Sequence, residues 1–370
     1  GGVKASSLTA TANRRHARRF YSNSSVQSAV YAQSTDRSLS GNIFQDVQGK
    51  LFTDYLANSK ALIRTMIVPL TDVQLKEIQN FCPRSKVEID QDVDIVRHWL
   101  NKQPHLPKTS DEFIKKVLFS LKYRTEKVKI VIDNYYSVKE LFPQIYGDLD
   151  PTSETFRKHV EAVYMFPLPK LTADFHRVLC YRMATTEAKD FCPDSQLKRN
   201  EMMWNWLFDE DALTLGDIWI FDLTNMESMA QWAHFNLSFM KKILKINLEA
   251  KPVRIKRVHF VNIAPIAETS LNFIKHFFPK KYKDRILFNA TFESLQVLYP
   301  IDMFPNEWGG KAGNMAELSQ RMHKELIKRR SWCIAMEGMK ADSSKRIGQS
   351  KTGDKSILGI EGNFKKLCFD

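Results

Sequence analysis

In "PIAETSLNFIKHFFPKKYKDRI", residues 265–286, apolar side chains recur at helical spacing and cations follow at once. At about 100° per residue, Ile266, Ala267, Ser270, Leu271, Phe273, Ile274, Phe277 and Phe278 share an arc of roughly 160°. Glu268, Thr269, Asn272, Lys275 and His276 take the other side. Pro265 suits a first helical turn, where a missing N–H costs nothing. Pro279 ends the helix, because the residue before a proline avoids the helical region. Such a face does non-covalent chemistry. It is either a surface helix packed on a core or a lid over something removable, and the cations beside it suit an anionic surface.

Covalent chemistry finds no assembled site. There is no G-x-G-x-x-G after the first strand, and "WGGKAG" (308–313) lacks the phosphate-loop spacing. No H-E-x-x-H and no G-x-S-x-G occur. The nine histidines are scattered, and His259 sits between apolar neighbours in a strand pattern, as a hydrogen-bonded core histidine does. Asp222 ends a strand and precedes a helix, where backbone hydrogen bonding accounts for it. The five cysteines, Cys82, Cys180, Cys192, Cys333 and Cys368, are odd in number and in no metal-ligand spacing. They read as reduced thiols of an intracellular protein. With no nucleophile, base and orienter in combination, the expectation is no enzyme, no metal and no cofactor.

The elements that must position these residues begin late. Residues 1–65 hold nine Lys/Arg against three acids, with little apolar periodicity. This composition predicts a disordered basic Ser/Arg-rich extension. Its "RRHARRFYS" fits a mitochondrial transit segment or an arbitrary upstream extension equally well. The formal charge is +13 overall. That charge invites nucleic acid, but no aromatic-and-basic reading motif accompanies it, so nucleic acid is not expected as a partner. No secretory signal is present, and no apolar run reaches the roughly 18 residues that span a bilayer.

Residues 66–150 read as an all-helical bundle with short loops, its starts marked by capping boxes at Thr71/Gln74 and Thr109/Glu112. After "YGDLDP" the pattern changes. Strands are expected at 176–184, 217–223, 254–264 and in "RILFNA", with helices at 193–212, from a Thr224/Glu227 capping box to about Leu248, at 265–278 and at 314–330. Strands alternating with helices mean parallel βαβ units, hence an α/β domain over 151–330. Residues 331–370 are a polar tail in which "ILGIEGNFKKLCFD" adds a short strand. The α/β part is rich in large apolar residues at regular spacing: Met203 and Trp206, then Trp219 and Phe221, then Phe235, Phe239, Ile243 and Ile246, then Val258 and Phe260. Solid core and pocket wall use the same residue types, so type alone does not decide between them.

Taken in order, "DIWIFDLTNM", "KPVRIKRVHFVNIAPIAETSLNFIKHFFPKKYKDRI" and "LYPIDMFPNEWGGKAG" resemble the CRAL-TRIO (Sec14-like) lipid-binding family, in particular its tocopherol-transfer branch. "DVDIVRHWLNKQPHLPKTSDEFIKKVLFSLKYRTEKVKIVIDNYYSVKELFPQIY" is similar to the helical domain that precedes it, and the resemblance runs over about 66–370. It implies a three-layer α/β/α domain holding one hydrophobic lipid, tocopherol- or retinoid-like, in a closed cavity. The wall would be the ten apolar residues just named. The opening helix would be a mobile gate, with Ile266, Leu271, Ile274, Phe277 and Phe278 inward. Matching positions make Arg254, Lys256, Lys281 and Arg285 a phosphoinositide-binding collar. A further family arginine is replaced, since Phe119 and Leu121 stand where arginines are usual and Lys122 or Arg124 are the nearest substitutes.

The resemblance therefore implies a monomeric, non-enzymatic cytoplasmic carrier that visits anionic membranes transiently. A mitochondrial address is the alternative should the Arg-rich start be a transit segment. Exposing the gate's face to water would cost on the order of 10 kcal/mol at ~25 cal/mol per Å2, whereas in a bilayer it is nearly free. Each cation adds about 1 kcal/mol of attraction to an anionic surface. The same domain also suits a lipid-sensing adaptor that retains its ligand and controls partner proteins.

Overall fold

The structure, a computed structural model, describes residues 66–210 and 213–348. The expectations for residues 1–65, for the last strand and for Cys368 lie outside the described residues.

The helical part comprises α1 (Asp72–Asn80), α2 (Lys86–Leu100), α3 (Asp111–Ser120), α4 (Thr125–Leu141), the short α5 (Pro143–Tyr146) and α6 (Glu154–Ala162). Thr71 and Gln74 form the expected capping box, each satisfying the other's backbone N–H, and Ser85 with Glu88 repeats it. At α3 the cap falls one residue later than expected. Ser110 accepts from Phe113 N at 3.2 Å, because the Thr109 hydroxyl is turned to the Pro107 carbonyl and the Tyr136 hydroxyl, both at 3.1 Å. Val93, Val96, Ile114, Val117, Leu118, Val128 and Ile132 close the core of this bundle.

A five-stranded sheet follows in the order β1-β2-β3-β4-β5. β1 (Val163–Pro167) runs antiparallel to β2 (His176–Met183). β3 (Gly216–Asp222), β4 (Ile255–Val261) and β5 (Ile286–Phe288) continue it in parallel. α7 (Pro193–Glu210) joins β2 to β3. Between β3 and β4 come α8 (Met229–Trp232) and α9 (Leu237–Leu244), the latter running on as π-helix over Lys245–Ala250. α10 (Ala267–Phe277) and α11 (Lys280–Lys283) join β4 to β5, and α12 (Met315–Lys328) and α13 (Arg330–Ala335) follow. The fold is thus a helical region followed by a mixed α/β domain on a central sheet. Gly216 opens β3 at φ +138°, and a Cβ there would meet the Arg254 carbonyl oxygen at 2.3 Å, so only glycine lets the two strands approach.

The single helix expected from Thr224 to Leu248 is broken. Asp222 Oδ1 accepts from both Thr224 N and its hydroxyl, at 3.0 and 2.7 Å. That local turn competes with helix, and Asn225 follows at φ +71°. Helix restarts at Ser228, whose capping box uses Gln231, and again at Asn236, which accepts from Phe239 N.

Candidate functional site

Alternation along the strands sends one set of side chains to one side of the sheet. Tyr181, Phe221, Phe260 and Phe288 stand directly opposite one another across four strands. Tyr181 stacks on Phe221 at 4.7 Å and Phe221 on Phe260 at 5.2 Å, with planes within 18°; Phe288 closes the row edge-on at 5.7 Å. Above this row lies a chamber of about 180 Å3, or about 1110 Å3 of atom-free space with its mouth included.

Trp219, Phe221, Val258 and Phe260 line it from the sheet, and Phe235, Phe239 and Ile243 from the α8–α9 segment. Ile274 and Phe278 line it from α10 and its end. Three residues expected on the wall are not there. α7 is buried nearly all round, and Gln196, Leu197 and Asn200 are its residues on the chamber. Met203 and Trp206, further along the helix, are buried without reaching the chamber, and Trp206 carries the Arg329 guanidinium at 5.4 Å. Ile246 packs with Val138, Ile145 and Tyr146 of the helical part. Of the other residues assigned to the lid, Leu271 and Phe277 are buried without reaching the chamber, and Ile266 is 42% exposed at the start of α10.

Trp232, Phe235 and Ile274 are shared with a neighbouring cleft that also touches Asn236, Ser270 and Phe273. They form a thin partition along the seam between α10 and the α8–α9 turn. Phe273 is 49% exposed there.

The wall is almost wholly apolar, and most of its polar groups pair with the protein, while Trp219 Nε1, Trp232 Nε1 and Arg182 Nε are buried without a hydrogen-bond partner. Asp222 accepts from Trp308 Nε1 at 2.9 Å and lies 3.5 Å from Arg182 Nη1. Gln196 donates to the His159 carbonyl and accepts from Arg199. Tyr181, Asn200 and Asn247 join a buried hydrogen-bond circuit, and sequence reasoning did not single them out. His259, fully buried on the opposite side of the sheet, has both ring nitrogens partnered, by Asn289 and Tyr299.

The four collar cations surround the N-terminal end of β4. Arg254 donates to the Thr214 carbonyl at 3.0 Å and lies 5.4 Å over Phe119 and 5.5 Å over Phe81. Lys256 and Lys122 lie over the same Phe81 ring, at 5.7 and 4.8 Å. Lys281 and Arg285 flank Tyr282 at 5.2 and 5.5 Å, and Arg285 also donates to the Ile255 carbonyl. Among the described residues none of the four has a carboxylate at ion-pair distance. Burial, then Arg254, Lys122 and Arg285, hold the Lys256 ammonium below the usual lysine range. Burial, then Lys281 and Arg124, do the same to Lys127. Phe119 and Leu121 are buried in the helical core, so Lys122, Arg124 and Lys127 are what the helical part brings to this cluster.

Comparison with known proteins agrees with this architecture. Residues 164–310 match the family model of the CRAL/TRIO domain, and residues 85–156 match that of the Pinta-like UBA domain. The alpha-tocopherol transfer protein-like proteins of Mus musculus and Homo sapiens are each 24% identical over 228 residues. The match covers 61% of this chain and 66% of theirs, so the chain spans just under two thirds of the length of these relatives. A solved structure, "Crystal structure of Sfh5", superposes on 72% of this chain and 99% of its own, with a TM-score of 0.42 and 9% identity.

Proposed function

We propose that this chain, whose residues 164–310 form a CRAL/TRIO domain, is a non-enzymatic carrier of one small hydrophobic lipid, with α10 as the gate and the β4 collar as its membrane address. The observation that carries this reading is the apolar chamber between the sheet and the α7–α10 layer. A void of that size in a solid core would forfeit packing at every wall atom, so a chamber lined by aromatic rings calls for an occupant. The stacked floor of Tyr181, Phe221 and Phe260 favours a flat ring or a polyene, in keeping with a tocopherol- or retinoid-like cargo.

Exchange follows from two local costs. Swinging α10 outward in water exposes Ile274 and Phe278, which the aqueous state opposes. At a bilayer, Phe273 and Ile266 are already partly exposed beside the seam and enter the lipid first. The collar lacks carboxylate partners among the described residues, so an anionic head group such as a phosphoinositide relieves a cluster of like charges. Among the described residues no helix is long and apolar enough to cross a membrane, and contact with the bilayer is taken to be peripheral and transient.

The test is transfer of a fluorescent tocopherol or retinol between two vesicle populations. The carrier moves it catalytically, and faster when phosphoinositide is present. A chain that keeps its ligand through the exchange is instead the lipid-sensing adaptor.

A further inference from the structure

A second, smaller pocket lies where the end of α3 meets α7 and the residues that open β3 and β4. It encloses about 30 Å3, or about 430 Å3 of atom-free space with its mouth included, and shares no residue with the chamber. Ser120, Thr214, Asp217 and Arg254 are among its polar residues.

Arg254 brings to this pocket a group that the collar leaves unused. A guanidinium has five N–H donors and no acceptor. Nη2 donates to the Thr214 carbonyl at 3.0 Å, and the Phe119 and Phe81 rings lie 5.4 and 5.5 Å from the cation. Nη1 is buried and has no hydrogen-bond partner. It has lost water without gaining an acceptor, which is costly for a charged donor. Burial accordingly holds the Arg254 pKa below the usual arginine range, with Cys82 and Asp217 opposing the shift.

Two more donors stand on the same wall. The hydroxyls of Ser120 and Thr214 make no hydrogen bond among the described residues. The carboxylate on this wall is Asp217. Burial raises its pKa to about 6, while Lys251 and Arg177 favour its charged form. Three unspent donors around one small space, one of them charged, make a receptor for an anion. Size then selects the anion. A water needs at least ~10–15 Å3 on this measure, so the space holds one or two water-sized species. A halide fits, whereas phosphate and sulfate, with four oxygens each, do not.

We propose that this pocket binds one small monovalent anion of chloride size, held by Arg254 Nη1 and the hydroxyls of Ser120 and Thr214. The ion ties the last residue of α3 to the residues that open β3 and β4, and it neutralises Arg254 at the root of the collar. Asp217 beside it keeps the binding weak, so saturation falls in the millimolar range. The site does not depend on the carrier reading, and neither fails with the other.

The experiment follows the melting temperature of the full chain while sodium chloride replaces sodium gluconate at constant sodium. A saturating rise of about 2 °C by about 200 mM chloride is expected. Bromide should reproduce it, and sulfate should add only the unsaturating stabilisation that excluded salts give. Ser120→Ala combined with Thr214→Val removes both hydroxyls, leaves the collar cations in place and should abolish most of the saturating rise. Crystals grown in sodium bromide should show an anomalous peak within hydrogen-bonding reach of Arg254 Nη1. A parent chain with no saturating response to chloride overturns the proposal. So does a double variant that keeps the full rise, since chloride would then act on the collar, and so does a bromide crystal with only water at Nη1. If the double variant does not fold, the parent chain's halide response and the bromide map decide.

Discussion

Trp308 donates its indole N–H to Asp222 Oδ2 at 2.9 Å, across 86 positions of sequence. The other carboxylate oxygen accepts from Thr224 and from Asn262 Nδ2, the latter at 2.9 Å. One buried acid thus ties the ends of β3 and β4 to the "FPNEWGG" segment. Within that segment Gly310 is packed so tightly that a Cβ would sit 2.0 Å from the Phe304 carbonyl oxygen. These residues hold the C-terminal end of the sheet together.

Asp222→Asn turns an amide N–H toward at least one of these donors and removes the counter-charge of Arg182. It should lower the unfolding free energy by about 3 kcal/mol in urea titrations, and Gly310→Ala by about 2 kcal/mol or more. Wild-type stability in either variant would show that the clasp is dispensable.

Filling the chamber separates cargo binding from stability. Val258→Trp places an indole in the existing space, and lipid loading is expected to fall tenfold or more with the melting temperature level or raised. A drop of many degrees would mean that no usable space exists behind α10.

The collar residues are not equivalent. Arg254 is built into the fold through Thr214 and Phe119, so Arg254→Ala should lower both stability and membrane transfer. Lys281→Ala should leave the melting temperature unchanged and slow transfer to anionic vesicles about fivefold, on the order of 1 kcal/mol per cation. That difference should shrink as salt is raised.

Lys139 is buried beneath Tyr135, whose ring lies 4.1 Å from its ammonium, and burial lowers its pKa to about 7. The unfolded chain therefore binds the extra proton between about pH 7 and the ordinary lysine value of 10.5. Stability should rise with pH across that window and lose this contribution as pH falls toward 7. Lys139→Met removes the penalty. It should be more stable than the parent by a few kcal/mol at pH 7, with the gap closing toward pH 10 in parallel denaturation curves.

Helix α10 was legible because its 3.6-residue period is bounded by Pro265 and Pro279, and the parallel strands because β-branched and aromatic runs alternate with helices. β1 was missed: "VYMFP" is short and ends in proline, and its pairing partner supplies most of its identity. The broken helix after β3 was misread because Thr224 satisfies a capping pattern on paper while Asp222 claims it in space. Met203 and Trp206 could not be told from wall residues, since a helix buried all round has no apolar stripe to read. Asn247 gives a faint signal, an amide between Ile246 and Leu248 on a helix, and Asn200, flanked by Arg199 and Glu201, gives none; only the fold places both on one wall with Tyr181.

Phe235, Phe239, Ile243 and Leu197 serve two masters: they face the chamber, and they also pack against Val138, Phe142 and Ile145 of the helical part. An occupant therefore presses on the same side chains that seat α4 and α5, and it completes an interior that is otherwise unfinished. By mass action such a molecule supports the native state in proportion to its supply. On the carrier reading, a shortage of cargo would shorten the lifetime of the protein against proteases and so couple its abundance to the supply of that lipid.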